Sequence, residues 1–87
     1  MKHQQFIIQG KVENTGFRFY AFRGASILGI RGFVKVLEDQ VIVEAEGEDS
    51  KLADFGNWCR RGPEGCTVES VVCYDKEFIG YEEFKIL

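Results

Sequence analysis

The sequence lacks any run of about 18 consecutive apolar residues, which excludes a membrane-spanning helix. Its N-terminal segment, MKHQQFIIQG, contains one Lys and a short apolar patch that Gln9 and Gly10 interrupt, unlike a secretion signal. We therefore expect a soluble protein of the cytoplasm that has no membrane partner.

Positive charge is also scarce in this chain. Lys and Arg number 11 against 14 Asp and Glu, so the net charge is −3. A general nucleic-acid-binding domain needs a basic surface that displaces counterions from the phosphate backbone. We therefore expect no nucleic-acid partner.

Residues that bind metals are few and badly spaced. The only His is His3, and the Cys residues, Cys59, Cys66 and Cys73, do not form C-x-x-C pairs. Free Cys residues are often small buried hydrophobes. We favour that interpretation over a metal or redox site, and we expect no metal and no cofactor.

Apolar side chains, in contrast, are abundant. Of the 87 residues, 45% are hydrophobic and eight are Phe, which is enough for a core in a small protein. No internal repeat, linker or low-complexity segment interrupts the chain. We expect a single domain over residues 1–87 that acts as a monomer.

Apolar periodicity predicts the secondary structure of the first half of the chain. Residues 5–12 are rich in apolar and β-branched side chains and predict a strand. Residues 17–28 carry apolar side chains at helical spacing, and Gly29 is placed to end that helix. The runs at 32–37 and 41–46 predict a hairpin.

The second half predicts one helix and two strands. Residues 49–62 predict a helix that Asp49 or Ser50 caps, and residues 67–75 and 81–86 predict strands. This order is typical of the ferredoxin-like βαββαβ sandwich of the α+β class. We expect a mostly antiparallel sheet of four to five strands with two helices on one face.

Two groups of residues have both a functional and a structural interpretation. Phe78, Ile79 and Tyr81 form either an apolar patch for a partner or a cover over one end of the core. The other group is an acidic stretch, which we interpret as a solvated strand face and helix start without a metal role. It comprises Glu44, Glu46, Glu48 and Asp49.

The segment GKVENTGFR, residues 10–18, joins the first strand to the first helix and is a candidate phosphate-binding loop. A helix N-terminus presents unpaired N–H groups and the positive end of the dipole, and a tight turn adds a concave set of N–H donors. The guanidinium of Arg18 offers a planar fork that matches phosphate oxygens. A cation in the first turn opposes the dipole, so helix stability gives no reason for Arg18. The structural alternative is a plain turn between strand and helix.

With further matches along the chain, this motif resembles the acylphosphatase family from Phe6 to Ile86. The matching residues are Gly10, Val12, Gly16, Phe17, Arg18, Ala25, Leu28, Gly29, Ile30, Gly32, Phe33, Val34, Asp39, Val41, Phe55, Gly62, Pro63, Val68, Val71, Phe84 and Ile86. The resemblance implies the ferredoxin-like fold and hydrolysis of the carboxyl-phosphate bond of acyl phosphates, without a metal or a covalent intermediate.

The resemblance also implies roles for single residues. Backbone N–H groups of the loop bind the phosphate, and Arg18 clamps it and stabilises charge on the transferring group. In the family, an Asn at the end of the second strand positions the attacking water. The ligand is then a small anion: an acyl phosphate, phosphate or sulfate. The implied phosphate-binding residues are Glu13, Asn14, Thr15, Gly16, Phe17 and Arg18.

The position of the water-binding Asn departs from the family pattern. It is occupied by Val36, which has neither a donor nor an acceptor, while Lys35 is expected on the other sheet face and Leu37 is apolar. By analogy with the loss of one preorganised donor, we expect turnover to be roughly a hundred- to a thousandfold lower.

The loop departs from the pattern as well, because Glu13, Asn14 and Thr15 replace Gln, Gly and Val. Asn tolerates a left-handed backbone, so the loop shape can survive at Asn14. A solvated Glu13 carboxylate lowers phosphate affinity by on the order of 1 kcal/mol. Replacement of the missing water ligand by Asn14 or Thr15 stays an alternative.

Three functions therefore stay open. The first is an acylphosphatase with weakened chemistry, which needs Arg18 and the loop. The second is a non-catalytic relative that binds phosphate or an acyl phosphate, which Val36 favours. The third is an interaction domain of the same fold, in which the loop is retained only for turn geometry and packing.

Overall fold

The computed structural model describes residues 1–87, which form a five-stranded sheet covered on one face by two helices. The sheet order is β4-β1-β3-β2-β5, and only β2 and β5 are parallel. The predicted ferredoxin-like α+β fold is therefore confirmed. The elements are β1 Lys2–Lys11, α1 Phe17–Leu28, β2 Arg31–Leu37, β3 Gln40–Gly47, α2 Asp49–Arg61, β4 Thr67–Lys76 and β5 Phe84–Ile86.

Strand β1 is flanked by strands on both sides, so its apolar residues reach the centre of the molecule. Alternation places Phe6 and Ile8 on the helix-covered face, where both are buried. A β-bulge between Gln9 and Gly10 shifts the pairing with β4. A Cβ at Gly10 would lie 2.0 Å from the Thr67 carbonyl oxygen, so the close approach of β4 requires glycine here.

Helix α1 is flanked by two glycines, and Gly29 ends it as the sequence predicts. Gly16 and Gly29, which flank the helix, have φ values of 75° and 68°, a left-handed conformation that glycine adopts without strain. The predicted apolar stripe, which includes Phe17, Ala21 and Ala25, is buried against the sheet. Neither α1 nor α2 is long and apolar enough to cross a membrane.

The start of helix α2 differs from the one predicted from the sequence. Its N-cap is Glu48, and no side chain makes a capping hydrogen bond, so the expected cap by Asp49 or Ser50 is wrong. Both residues lie inside the first turn, and the Asp49 carboxylate instead approaches Lys2 Nζ at 3.5 Å. Leu52, Phe55 and Cys59, which share one face of α2, are buried.

Strand β5 is shorter than its sequence predicts, since it begins at Phe84 rather than at Tyr81. The backbone N–H groups of Ile79, Gly80 and Tyr81 donate to the Glu46 carboxylate instead of to a neighbouring strand. We call residues 77–83 the strap, because they bind the helix-free face of the sheet before β5 begins.

The two helices are joined by a reciprocal contact between Tyr20 and Trp58. The Tyr20 hydroxyl donates to the Trp58 carbonyl at 2.7 Å, and the indole N–H donates to the Tyr20 carbonyl at 2.8 Å. The two rings stack with centroids 4.7 Å apart. A Cβ at Gly24 would lie 2.4 Å from Trp58 Nε1, so this contact requires glycine at position 24.

We expect Gly24→Ala to lower the free energy of unfolding by about 1–2 kcal/mol. The added methyl group displaces the indole, and that overpacking exceeds the roughly 1 kcal/mol that Ala gains over Gly in a helix. Urea unfolding followed by the fluorescence of the single Trp measures the change. Ser26→Ala, at an exposed position of α1, is the control and should change stability by less than about 0.5 kcal/mol. A Gly24→Ala protein as stable as wild type would contradict this packing.

Candidate functional site

The loop between β1 and α1 has the backbone geometry of an anion-binding turn. Asn14 and Gly16 are both left-handed, with φ values of 58° and 75°. Turns that contain left-handed residues direct successive N–H groups toward one side of the chain. The first N–H groups of α1, at Phe17 and the residues that follow it, add donors that no helical carbonyl can reach. The loop therefore presents backbone donors where an anion could bind.

The loop borders a pocket of about 200 Å³ at the N-terminal end of α1. Five of the six residues predicted to bind phosphate line it, and so does the residue at the predicted water-positioning site. The lining residues are Val12, Glu13, Asn14, Gly16, Phe17, Arg18, Phe19 and Val36. The fold thus brings a strand position from β2 beside a loop that lies about twenty residues earlier in the chain.

Thr15 is the predicted loop residue that does not line this pocket. Its hydroxyl donates to the Val12 carbonyl at 2.5 Å and closes the turn on itself. Because the hydroxyl hydrogen is already donated to the backbone, it is not free to bond another group. Thr15 therefore shapes the loop, and of the two polar residues considered as substitutes for the missing Asn, only Asn14 faces the pocket.

Arg18 is exposed, and no Asp or Glu side chain neutralises it. The ion pairs between side chains are Lys2–Asp49 and two contacts of His3, so the Arg18 charge has no Asp or Glu partner. Its Nη1 donates to the main-chain oxygen of Leu87 at 3.3 Å. The Leu87 N–H in turn donates to the Val34 carbonyl at 2.9 Å, which ties this end of the chain to β2. The guanidinium is thus held at the pocket by the main chain of residue 87.

Val36 faces the helix-covered side of β2, opposite Val41 of β3, and is half-buried. Lys35 is exposed on the other face, as its sequence position predicts. The side chain that borders the pocket at this point is therefore apolar. The polar groups around the pocket come from the loop and from Arg18.

The prediction that the acidic stretch is solvated is partly wrong, because Glu44 and Glu46 are buried. Glu44 accepts from His3 Nε2 at 2.7 Å and from Gln5 Nε2 at 2.6 Å. The His3 ring is itself buried, and its Nδ1 lies 2.8 Å from the Glu77 carbonyl oxygen of the strap. Alternation places all of these side chains on the helix-free face, a signal that the sequence contained.

The strap holds the second buried carboxylate. Burial alone would raise the pKa of Glu46, but the N–H groups of Ile79, Tyr81 and Gly80, together with nearby His3, outweigh it and lower that pKa below 4.5. Tyr81 is half-buried and packs edge-on against His3, whereas Phe78 and Ile79 are exposed and do not cover the core. The network anchors the strap, which leads to β5 and to the contact with Arg18.

The three Cys residues differ from one another, so one interpretation does not fit them all. Cys59 is buried, as expected of a small hydrophobe, whereas Cys66 is half-buried and Cys73 is exposed, which corrects the prediction for Cys73. Burial raises the pKa of Cys59 to about 12 and also raises those of Cys66 and Cys73. None of them is therefore activated as a thiolate. No three or more His, Cys, Asp or Glu side chains are arranged to hold a metal ion.

Comparisons with known proteins agree with this geometry. The acylphosphatase family model matches residues 4–86. An acylphosphatase of Actinobacillus pleuropneumoniae is 39% identical over 88 residues, which cover 98% of this chain and 93% of that protein. An acylphosphatase structure from Coxiella burnetii superposes with a TM-score of 0.96 at 25% identity, over 99% of this chain and 92% of that one. The acylphosphatase of Bacillus subtilis has the same fold, with a TM-score of 0.95 at 24% identity over 100% and 99% of the two chains. This chain therefore belongs to the acylphosphatase family.

Proposed function

We propose that this protein binds acyl phosphates at the loop of residues 12–18 and hydrolyses their carboxyl-phosphate bond slowly. The observation that carries this proposal is the single pocket shared by Arg18, the loop backbone and Val36. Membership of the acylphosphatase family supports the substrate class. The proposal treats residues 1–87 as one functional unit.

Binding of the phosphate group follows from the donors around the pocket. The N-terminal end of α1 supplies N–H groups and a positive dipole end, and Arg18 supplies a cation without an Asp or Glu partner. Glu13 also borders the pocket and repels an anion. Because Glu13 is exposed, water screens that repulsion, and the N–H groups and Arg18 outweigh it.

The hydrolysis needs few groups from the protein. Water attacks phosphorus, the bond between phosphorus and the acyl oxygen breaks, and a carboxylate leaves together with phosphate and a proton. A carboxylate is a weak base, so the leaving group needs no general acid. The loop N–H groups and Arg18 stabilise the negative charge on the transferring group.

The expected weakness is the orientation of water. An attacking water needs a hydrogen-bonding partner that holds it in line with the breaking bond. Val36 offers none, and the Thr15 hydroxyl is bonded to the Val12 carbonyl. We therefore propose a turnover below that of relatives with Asn at this position, by roughly a hundred- to a thousandfold.

The alternative function is binding of phosphate or another small anion without hydrolysis, and Val36 is the observation that favours it. The same donors serve both functions, so affinity alone does not distinguish them. Turnover that depends on Arg18 does distinguish them, because a domain that only binds anions has no turnover.

The deciding experiment compares wild type, Arg18→Ala and Arg23→Ala in benzoyl phosphate hydrolysis, corrected for spontaneous decay, and in calorimetric titration with inorganic phosphate. Arg23 is exposed on the same helix but does not border the pocket, so it is the matched control. We expect Arg18→Ala to weaken phosphate binding about 10- to 100-fold, which reflects the loss of charge-assisted hydrogen bonds.

We expect a slow wild-type turnover that Arg18→Ala lowers in parallel and Arg23→Ala leaves unchanged. Phosphate binding without turnover would support the binding function instead. Equal behaviour of the two Arg variants would exclude a role for Arg18, and a wild type with neither phosphate binding nor turnover would exclude both functions and favour an interaction domain.

A further inference from the structure

The pocket has an apolar side that phosphate binding does not use. Four of its eight lining residues are hydrophobic. Two of them, Val12 and Phe17, are buried in the core and form the floor of the pocket. The other two, Phe19 and Val36, present apolar surface beside Arg18.

Phe19 is the more unusual of these two, because its side chain is not part of the hydrophobic core. Its side chain is 67% exposed, lies outside the core cluster and pairs with no other aromatic ring. The other partly exposed Phe of α1, Phe22, packs against Phe84 with ring centroids 6.4 Å apart. Ile27 of the same helix is 68% exposed but borders none of the pockets described. Among the exposed apolar residues of α1, Phe19 is thus the one placed beside the loop.

We propose that Phe19 and Val36 form the acyl-binding wall of this pocket, which selects acyl phosphates with an apolar acyl group, aromatic above all. This inference rests on the proposed function. A phosphate held by the loop and Arg18 carries its acyl group through one bridging oxygen, so that group must lie within a few ångströms of the phosphate. The apolar surface available at that distance is that of Phe19 and Val36.

The charge around the pocket reinforces this selection. The Glu13 carboxylate borders the pocket and repels an acyl group that carries a second negative charge. An uncharged aromatic acyl group avoids that repulsion and stacks on the Phe19 ring. Val36 thus removes a polar partner for water and adds apolar contact for the substrate.

The test uses two phosphonates in which a CH₂ group replaces the hydrolysable bridging oxygen, so binding is measured without turnover. Phenacylphosphonate carries an aromatic acyl group, and acetonylphosphonate carries a methyl group in its place. Calorimetry compares their affinities with that of inorganic phosphate. In wild type we expect phenacylphosphonate to bind about three- to tenfold more tightly than acetonylphosphonate, as expected for one aromatic contact.

Variants assign the preference to the wall. We expect Phe19→Ala to reduce the affinity ratio of the two phosphonates to about one and to leave phosphate affinity unchanged. Phe19→Tyr keeps an aromatic face and should keep the ratio, and Ile27→Ala, equally exposed on α1, should do so too. Thermal unfolding confirms that each variant is folded, which the exposure of both sites favours.

The possible failures are distinguishable. A ratio near one in wild type, or a ratio that survives in Phe19→Ala, would overturn this inference while phosphate binding still supports the proposed function. Absence of binding by phosphate and by both phosphonates would overturn the two together.

Discussion

Val36→Asn is expected to raise the turnover of benzoyl phosphate by roughly a hundred- to a thousandfold. The side chain at position 36 faces the same pocket as Arg18 and the loop, and the amide would supply the donor and acceptor that valine lacks. Because the position is half-buried at the edge of the core, we expect only a modest loss of stability. Steady-state kinetics with correction for spontaneous hydrolysis measures the gain, and it should appear in kcat rather than in KM.

Two controls separate water positioning from a change of shape. Val36→Ala removes apolar contact without adding a hydrogen-bonding group and should not gain turnover. Addition of Arg18→Ala to Val36→Asn should remove most of the gain, since the amide acts on a phosphate that Arg18 helps to hold. An unchanged turnover in Val36→Asn, with a wild type that already depends on Arg18, would mean that another group orients the water. Glu13→Gln and Asn14→Ala would then identify which of these two pocket residues does so.

Glu46→Gln is expected to lower the free energy of unfolding by about 3–5 kcal/mol near neutral pH. The Glu46 carboxylate is 3% exposed and accepts three backbone N–H bonds from the strap. An amide retains one acceptor and turns its NH₂ group toward donors, so part-buried N–H groups of the strap lose their partners. Urea denaturation at constant pH measures the loss. Glu69→Gln, an exposed carboxylate of β4, is the matched control and should be nearly neutral.

The pH dependence of this loss follows from the lowered pKa of Glu46. The stabilising effect of a carboxylate with a lowered pKa is fully present above its unfolded value and is lost as the pH falls through the folded value. The difference in unfolding free energy between wild type and Glu46→Gln should therefore be largest above about pH 4.5 and should narrow below it. A difference that stays constant through acid pH would show that the charge of Glu46 is not what holds the strap.

The same variant connects stability to the candidate site. The strap ends at Glu83, whose carbonyl accepts from the Gly32 N–H, and beyond β5 the Leu87 N–H donates to the Val34 carbonyl. Arg18 donates to the Leu87 main-chain oxygen at the end of this path. A loosened strap should therefore weaken phosphate binding through a less ordered Arg18, although Glu46 lies on the opposite face of the sheet from the pocket.

Local features of the fold were predictable because their causes lie within a few residues. Gly29 ends α1 in a left-handed conformation, and Asn14 takes the left-handed conformation that asparagine tolerates. The apolar stripes of both helices are buried as their 3.6-residue spacing predicts. The order of these elements follows from the same patterns, and the resemblance to the acylphosphatase family implies the same fold.

Errors occurred where a residue's environment is formed by distant segments. From the sequence, Glu44 and Glu46 were predicted to lie on a solvated strand face, because acidic residues are seldom buried. They are buried because His3 and Gln5 of β1 and the strap supply their hydrogen bonds. Strand β5 is short because the N–H groups of Ile79, Gly80 and Tyr81 donate to the distant Glu46 carboxylate rather than to a neighbouring strand.

The amino-acid pattern alone was enough to predict the ends of the helices, the alternation of the strands, the family and the presence of Arg18 at the start of α1. Each depends on backbone preference, on side-chain periodicity or on residue identity, which act along the chain. Three features required the folded chain: Val36 and Phe19 border the loop, Thr15 is turned away from the pocket, and the Glu44 and Glu46 side chains are buried. Strand pairing and hydrogen bonds between segments tens of residues apart place these groups, and a local pattern carries little information about such contacts.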